Sequence, residues 1–519
     1  MMKQKTTFNP ASDANDWALG ILASSINLIL RLSVAMSSSF PLNDGGLFYR
    51  MILDLQENHF ALPAYASYNN LQIPFAYPPL GFYFSGLISS AFHIDLLTLA
   101  RLLPSVVNSL GILAFYFLAR RVLGTKQEVA LAAVLAFIFI PRGFEWQIMG
   151  GGLTRTFGVL FAILSMRAAY IFYHEHDMKQ LIPIISFGTL TVLSHPEAPV
   201  HTAVALAIFY LVLDRSRRGL FLSLTISIAI LLLSAPWWAI VLAKHGIRPF
   251  LAVITAAREA AGVTLAGKIF LAFQFNFTEE PFLPLISILG LIGLFATLSR
   301  RELLLALWMV SSLFIEPRSA PQFMTIPLAM LAGIGLVEIV LPALAAFGKD
   351  YQRATQWSVR IVVFYLLIYE LISTYVIDTY LIQATLKPDI VNAFTWVKDK
   401  TPADSRFAIV TNGIPLSDSI AEWFPALTGR TSLNTVFGTE WFGDKVFGQY
   451  VNRYTDLKAC IAGDASCIEM WAKKYDLTYT YILVRKQNNS LGLINALQGS
   501  DAYQIVYDSN EAVIFEKTK

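Results

Sequence analysis

Apolar residues along most of this chain do not alternate with polar ones. They run on unbroken until a short polar connection interrupts them. Stretches at 17–40, 99–119, 127–141, 154–173, 181–194, 199–213, 219–241, 281–298, 303–316, 322–342 and 359–381 each approach a membrane-spanning length. A bilayer core needs about 20 apolar residues per helix, so the pattern predicts about eleven spans. A further segment, PPLGFYFSGLISSAF at 78–92, opens on two prolines and is shorter. It fits a helix lying in the interface or re-entering as well as a span.

Charge decides between those options. If 78–92 does not cross, the N-terminus and the connections ARRVLGTK, HEHDMKQ, DRSRRG, SRRE and FGKDYQR fall on one side. These connections hold most of the Lys and Arg outside the C-terminal region, and the positive-inside rule makes that side the cytoplasm. The opposite side then receives 41–98, 142–153, 195–198, 242–280, 316–321 and everything after about 385. The first sixteen residues are polar and no small-residue cleavage site follows the first span, which predicts that this span is retained as an anchor.

From Lys387 onward the pattern changes. FAIVT (407–411) and YTYILV (479–484) read as strands, and DIVNAFTWVKDK and CIEMWAKKY as helices. The chain thus divides into a helical membrane part, 1–385, and an exterior α/β domain, 386–519. Cys460 and Cys467 flank the short IAGDAS loop, a spacing that suits a local disulfide on an oxidising face; two buried thiols is the alternative.

Composition agrees with a chain largely solvated by lipid. It is 55% hydrophobic and 14% charged, against about 25% charged in soluble domains. A net charge of +3 without a basic tract excludes a nucleic-acid partner. No zinc spacing, Walker motif or dinucleotide glycine motif is present.

Costly residues gather on the predicted exterior side. PLNDGGLFY (41–49) places Asp44 at the end of the first span, with Gly45 and Gly46 to turn the backbone. A half-shielded carboxylate holds its proton more tightly and suits a general base, although a plain helix exit would read the same way. PRGFEWQIMGGGLTRTFG (141–158) carries Glu145 and Arg155 around three glycines ahead of a helix, an arrangement suited to phosphate or to simple capping. SHPEAPVH (194–201) packs His195, Glu197 and His201 into a tight connection that could relay a proton or ligate a divalent ion. EPRSAPQF (316–323) adds Glu316 and Arg318, the arginine being a phosphate or headgroup partner. Arg31, within the first span, is expected to snorkel or to pair inside the bundle.

The first span with its external Asp, then YPPLGFYFSGLI, ALARLLPSVVNSLGILAFYFLARRVLG, GGGLTR, SHPE, EPR and EWFPALTGR, resembles the GT-C superfamily of membrane glycosyltransferases. The resemblance is to the protein O-mannosyltransferase and aminoarabinose transferase group and covers nearly the whole chain. It implies an all-α polytopic membrane protein with a juxtamembrane helix at 78–92 and a C-terminal α/β exterior domain. It also implies inverting transfer of a sugar from a polyprenyl-phosphate carrier to a lipid, glycan or protein acceptor at the outer face of the cell (plasma or inner) membrane. By the resemblance Asp44 takes the acceptor proton or helps to hold a metal, and Glu145 and Glu197 stand as further catalytic acids. Arg155 and Arg318 meet the donor phosphate, and His195 serves as acid, base or metal ligand. Glu422 and Trp423 are expected to face the acceptor, with a core role for the tryptophan as the alternative. A divalent metal ion is present in some branches of the superfamily and dispensable in others, so it stays open here. Rival readings are a transporter or flippase of lipid-linked saccharide, an O-antigen ligase or polymerase, and a non-catalytic membrane scaffold. The absence of a two-fold internal repeat speaks against the transporter.

Overall fold

The structure, a computed structural model, describes residues 10–124, 126–252, 277–315, 318–346 and 353–518. Six helices are long and apolar enough to cross a membrane, or seven if one bent pair counts as a single span. The long ones are α1 (Pro10–Ser37), α4 (Leu96–Val122), α7 (Gly152–Glu175), α10 (Arg217–His245), α13 (Ala320–Ile334, continued by a π turn to Ala346) and α14 (Arg353–Gln383). Four of the expected spans are shorter apolar helices instead: α8 (Leu181–Ser194), α9 (Ala198–Phe209), α11 (Leu285–Ser299) and α12 (Leu304–Ile315).

The bent pair is α5 (Gln127–Phe139) and α6 (Pro141–Ile148), which meet at 50°. Its cause is local. Pro141 forbids a helical conformation at the residue before it, and Ile140 is accordingly extended at φ −65°, ψ 112°. A span expected over 127–141 therefore ends early. The chain restarts at a new angle and carries Arg142, Glu145 and Trp146 away from the axis of α5.

Segment 78–92 forms α3 (Leu80–Phe92), 13 residues long. At about 1.5 Å per residue it reaches roughly 20 Å, short of the ~30 Å hydrocarbon core. It packs on α2 (Gly46–Glu57), α4, α7 and α8. Buried polar groups tie the spans together. Asn27 Nδ2 donates to Asn108 Oδ1 at 2.9 Å. Arg31 is fully buried, with its guanidinium 3.3 Å from the Phe144 ring centre and Asp378 3.9 Å away, so it pairs inside the bundle.

Strands β1 (Tyr65–Ala66) and β2 (Ile73–Pro74) pair antiparallel between α2 and α3. The C-terminal part is a five-stranded sheet in the order β4-β3-β5-β7-β6, flanked by helices. Strands β3 (Arg406–Val410), β4 (Thr431–Ser432) and β5 (Tyr481–Arg485) are parallel. Strands β6 (Tyr503–Asp508) and β7 (Ala512–Lys517) close the sheet antiparallel. Period-two alternation splits the strands between two cores. Phe407, Ile409, Leu483 and Ile514 join the core shared with the membrane helices, through Phe394 of α15 (Pro388–Lys400) and Phe424 of α16 (Ser419–Thr428). Ala408, Val410, Ile482, Val484 and Phe515 face the other way, onto Leu457, Ile468, Trp471 and Leu493. Buried apolar surface is thus continuous from the membrane helices into the sheet, and it fixes the C-terminal part on the bundle.

Cys460 and Cys467 form a disulfide between α17 (Asp444–Ala459) and α18 (Ala465–Lys474). Closing so short a loop stabilises a fold by about 2–3 kcal/mol. The C460S/C467S variant is expected to melt several degrees lower in a thermal scan of the purified protein, and reductant should do the same to the unmodified chain.

Candidate active site

The glycines of PLNDGGLFY and GGGLTR meet. Gly150 N–H donates to Leu42 O at 2.9 Å, and Gly151 N–H donates to Asp44 Oδ1 at 2.9 Å. A Cβ on Gly45 would lie 2.7 Å from the Gly150 carbonyl carbon, and Gly45 itself has φ 126°. A Cβ on Gly150 would overlap the Asp44 carbonyl oxygen. The two motifs are therefore halves of one backbone-to-backbone contact that only glycine permits. The N-terminal end of α7, where the sequence suggested a phosphate, is taken at Gly151 by the Asp44 carboxylate.

Asp44 is half-buried, and its Oδ1 is engaged by Gly151. Burial pushes its carboxyl above the ordinary range, while the Gly151 N–H and the positive charge of Arg155 pull the other way.

One turn into α7, Arg155 Nη1 donates to Gln322 Oε1 at 3.0 Å and to Glu197 Oε2 at 3.3 Å. Arg318 Nε lies 3.8 Å from Glu197 Oε1. The first turn of α7, the turn just before α13 and the connection between α8 and α9 thus bring two arginines onto one glutamate. Arg155 is the more buried of the two, at 14% side-chain exposure against 35% for Arg318. Gln322 is 3% exposed, and its Nε2 has no hydrogen-bond partner among the described residues. An unmatched buried donor beside two cations suits an anion.

Tyr77 sits among these groups, and the sequence reading passed over it. Its hydroxyl accepts from Thr154 Oγ1 at 3.3 Å, and its ring meets His195 at 6.1 Å and Trp441 at 6.0 Å. Burial pushes its phenol up to about 12 despite Arg155 nearby, so it remains a hydrogen-bond donor at neutral pH. His195 is 2% exposed, and its Nδ1 accepts the Glu197 N–H at 3.3 Å. Burial, then Arg155 and Arg318, holds its pKa well below the usual imidazole value, which keeps the ring neutral. His201 is fully buried, 2.9 Å from Ser319 Oγ through Nε2 and stacked on Phe323.

The C-terminal part covers the site. A short turn at Thr439–Phe442 sets Trp441 against Tyr77 and brings Glu440 within electrostatic reach of Arg318. Helix α16 enters beside Asp44. Glu422 is 2% exposed, and its carboxylate accepts from Gly45 N–H at 3.1 and 3.0 Å and from Leu47 N–H at 3.4 Å. Trp423 is fully buried, packs on Phe40 at 4.7 Å and donates its indole N–H to Asn43 O at 3.0 Å. The expectation that Glu422 and Trp423 face the acceptor is therefore corrected: one points into the 43–47 turn and the other is core.

Glu145 pairs with Arg142 at 3.6 Å, and Arg142 also meets Glu279 at 3.1 Å. Trp146 connects this cluster to the first, with Arg142 3.6 Å and Arg155 5.1 Å from its ring centre. The structure thus brings Asp44, Arg155, Glu197, His195 and Arg318 together and sets Glu145 one step aside. Glu316 lies outside the described residues. Tyr77 left one signal in the sequence, an aromatic hydroxyl directly before the paired prolines of YPPL. Gln322 left none.

No family model and no curated protein matches this sequence. Solved structures do. ArnT from Cupriavidus metallidurans bound to undecaprenyl phosphate superposes with a TM-score of 0.54 at 15% identity, over 95% of this chain and 97% of that one. Its apo state gives 0.54 at 14%, over 97% and 98%. The mycobacterial arabinofuranosyltransferase AftD gives 0.55 at 14%, over 96% of this chain, which spans only 40% of AftD. The chain shares the fold of these solved structures, in line with the fold that the sequence resemblance implied.

Proposed function

We propose that this protein transfers a sugar from a polyprenyl-phosphate donor to an acceptor at the exterior face of the membrane. One observation carries the reading: Asp44 and the Arg155–Glu197–Arg318 cluster lie within electrostatic reach of each other, four residues apart along α7 through Gly151 and Arg155. The match in fold to a protein solved with undecaprenyl phosphate supports it. So does the charge pattern, which puts the N-terminus in the cytoplasm and the C-terminal domain outside.

The chemistry needs a base on one side of the anomeric carbon and a charge sink on the other. Asp44 Oδ2, the oxygen not held by Gly151, accepts the acceptor proton as the new glycosidic bond forms. The carbon–phosphate oxygen bond breaks with inversion, and its electron pair leaves with the phosphate. Arg155 and Arg318 stabilise that growing charge, and Gln322 Nε2 adds a donor. Glu197 occupies the arginines until the phosphate displaces it. Tyr77 and neutral His195 shape the wall between base and cations.

The donor set does not favour a metal ion. Among the described residues no three His, Cys, Asp or Glu side chains converge. Glu197 is committed to two arginines, and the His195 Nδ1 lone pair to a backbone N–H. No step is therefore routed through a metal.

Removing a charge-assisted hydrogen bond costs about 1.5–3 kcal/mol. R155A and R318A should therefore each weaken undecaprenyl phosphate binding about tenfold or more, read by native mass spectrometry. Unchanged affinity in both variants would refute the phosphate assignment.

A further inference from the structure

We propose that Glu422 is the positioning residue of this site: its carboxylate, reaching in from the exterior domain, fixes the 43–47 turn and sets how Asp44 holds its proton. The inference deepens the transfer reading and rests on it for the role of Asp44.

Several contacts place Glu422 there. Asp418 caps α16, its Oδ1 accepting from Ile420 N–H at 3.0 Å. Asp418 Oδ2 is in turn held by the hydroxyls of Thr411 and, at 2.7 Å, Tyr454. Ser419 Oγ ties the same turn to Ala384 O at 2.7 Å, at the top of α14. Tyr68 O–H donates to the Glu422 carbonyl at 2.6 Å. Gly46 has no Cβ, and one would stand 2.9 Å from Glu422 O and 3.1 Å from Trp423 Cα, so α16 lies directly on the start of α2.

Both Glu422 oxygens then accept only backbone N–H groups at the N-terminal end of α2. An acceptor-only setting at a helix N-terminus suits an ionised carboxylate. Asp44 faces Arg155 and Glu422, and Glu422 faces Asp44 and Tyr68. Burial and the nearby Asp44 charge nonetheless push the Glu422 carboxyl well above its ordinary range, so the two carboxyls compete for a single negative charge. Whatever share of that charge Glu422 carries is withheld from Asp44, which then keeps its proton to higher pH than burial alone would dictate.

Glutamine in its place would remove that charge and turn an NH2 toward the N–H groups of Gly45 and Leu47. The test labels purified full-length protein with a hydrophobic carbodiimide, which reacts with protonated carboxyls. The adduct on the Asp44 peptide is quantified by mass spectrometry from about pH 4 to about pH 9. In E422Q the Asp44 midpoint should fall by about one pH unit or more. E422D, which keeps the charge, should stay close to wild type. Y68F, which loosens the same contact without touching charge, should not shift. An unmoved midpoint in E422Q, or equal shifts in E422Q and Y68F, overturns the proposal. The readout needs no turnover. If the wild type carries no transferase activity yet E422Q alone shifts, the transfer reading falls and the coupling of Glu422 to Asp44 stands.

Discussion

Asparagine at position 44 is expected to lower the rate of sugar transfer by about 10²–10⁴-fold, the usual contribution of a general base. Asn keeps the size of the side chain and an oxygen for the Gly151 N–H, so the 41–47 turn and the α7 terminus should persist. It cannot take a proton at neutral pH. Donor binding, which falls to Arg155, Arg318 and Gln322, should be nearly unchanged, so the loss should appear in kcat. Transfer from polyprenyl-phosphate sugars in detergent, with correct insertion confirmed, is the measurement. Activity within a few-fold of wild type would remove Asp44 from the mechanism. Because burial holds its carboxyl above the ordinary range, wild-type kcat/KM should rise with pH on a limb lying above about pH 4, where an unperturbed Asp titrates.

The second large effect is expected from G150A. An added Cβ would overlap the Asp44 carbonyl oxygen and stand 3.0 Å from Pro41 Cβ, with backbone on one side and a rigid ring on the other. Neither can yield without moving the turn that carries Asp44. Overpacking of this kind costs about 1–3 kcal/mol of stability. The larger consequence is catalytic, since a displacement of about 1 Å at the reacting groups can lower a rate about 10²-fold. G111A supplies the control, because its Cβ would meet nothing within 4 Å. Near-normal kcat in G150A alongside normal G111A would show that the contact between the two glycine motifs does not aim Asp44.

These two positions also show how far the sequence could be read. Each glycine motif was visible, and so were the apolar helices, the C-terminal strands and helices and the Cys460–Cys467 spacing. That Gly45 and Gly150 oppose one another was not visible, because a backbone contact across about a hundred residues leaves no periodicity. The break at Ile140–Pro141 was written in the proline, and the expected span, 127–141, ended there; that a second helix restarts at an angle after it was not visible. The stretches at α8, α9, α11 and α12 were found close to their true bounds, but each is shorter than a spanning helix. Hydropathy marks what is apolar, not whether its length crosses a bilayer. Strand β6 escaped because it is half-exposed, and β7 because its buried apolar run, 512–515, is only four residues long. Glu422 and Trp423 were noticed for chemistry that suits a sugar. Their actual partners, the backbone of Asn43, Gly45 and Leu47, belong to a turn nearly four hundred residues earlier. Long-range pairing of this sort follows from packing, and pattern alone does not carry it.

A structure of the full chain with undecaprenyl phosphate bound tests the central claim most directly. The expected map shows the lipid phosphate within hydrogen-bond reach of Arg155 and Arg318, close to Gln322 Nε2, with Glu197 turned off the arginines and the Asp44 carboxylate facing the same space. A phosphate bound elsewhere, with the Arg155–Glu197 pair still at about its present 3.3 Å, would contradict it.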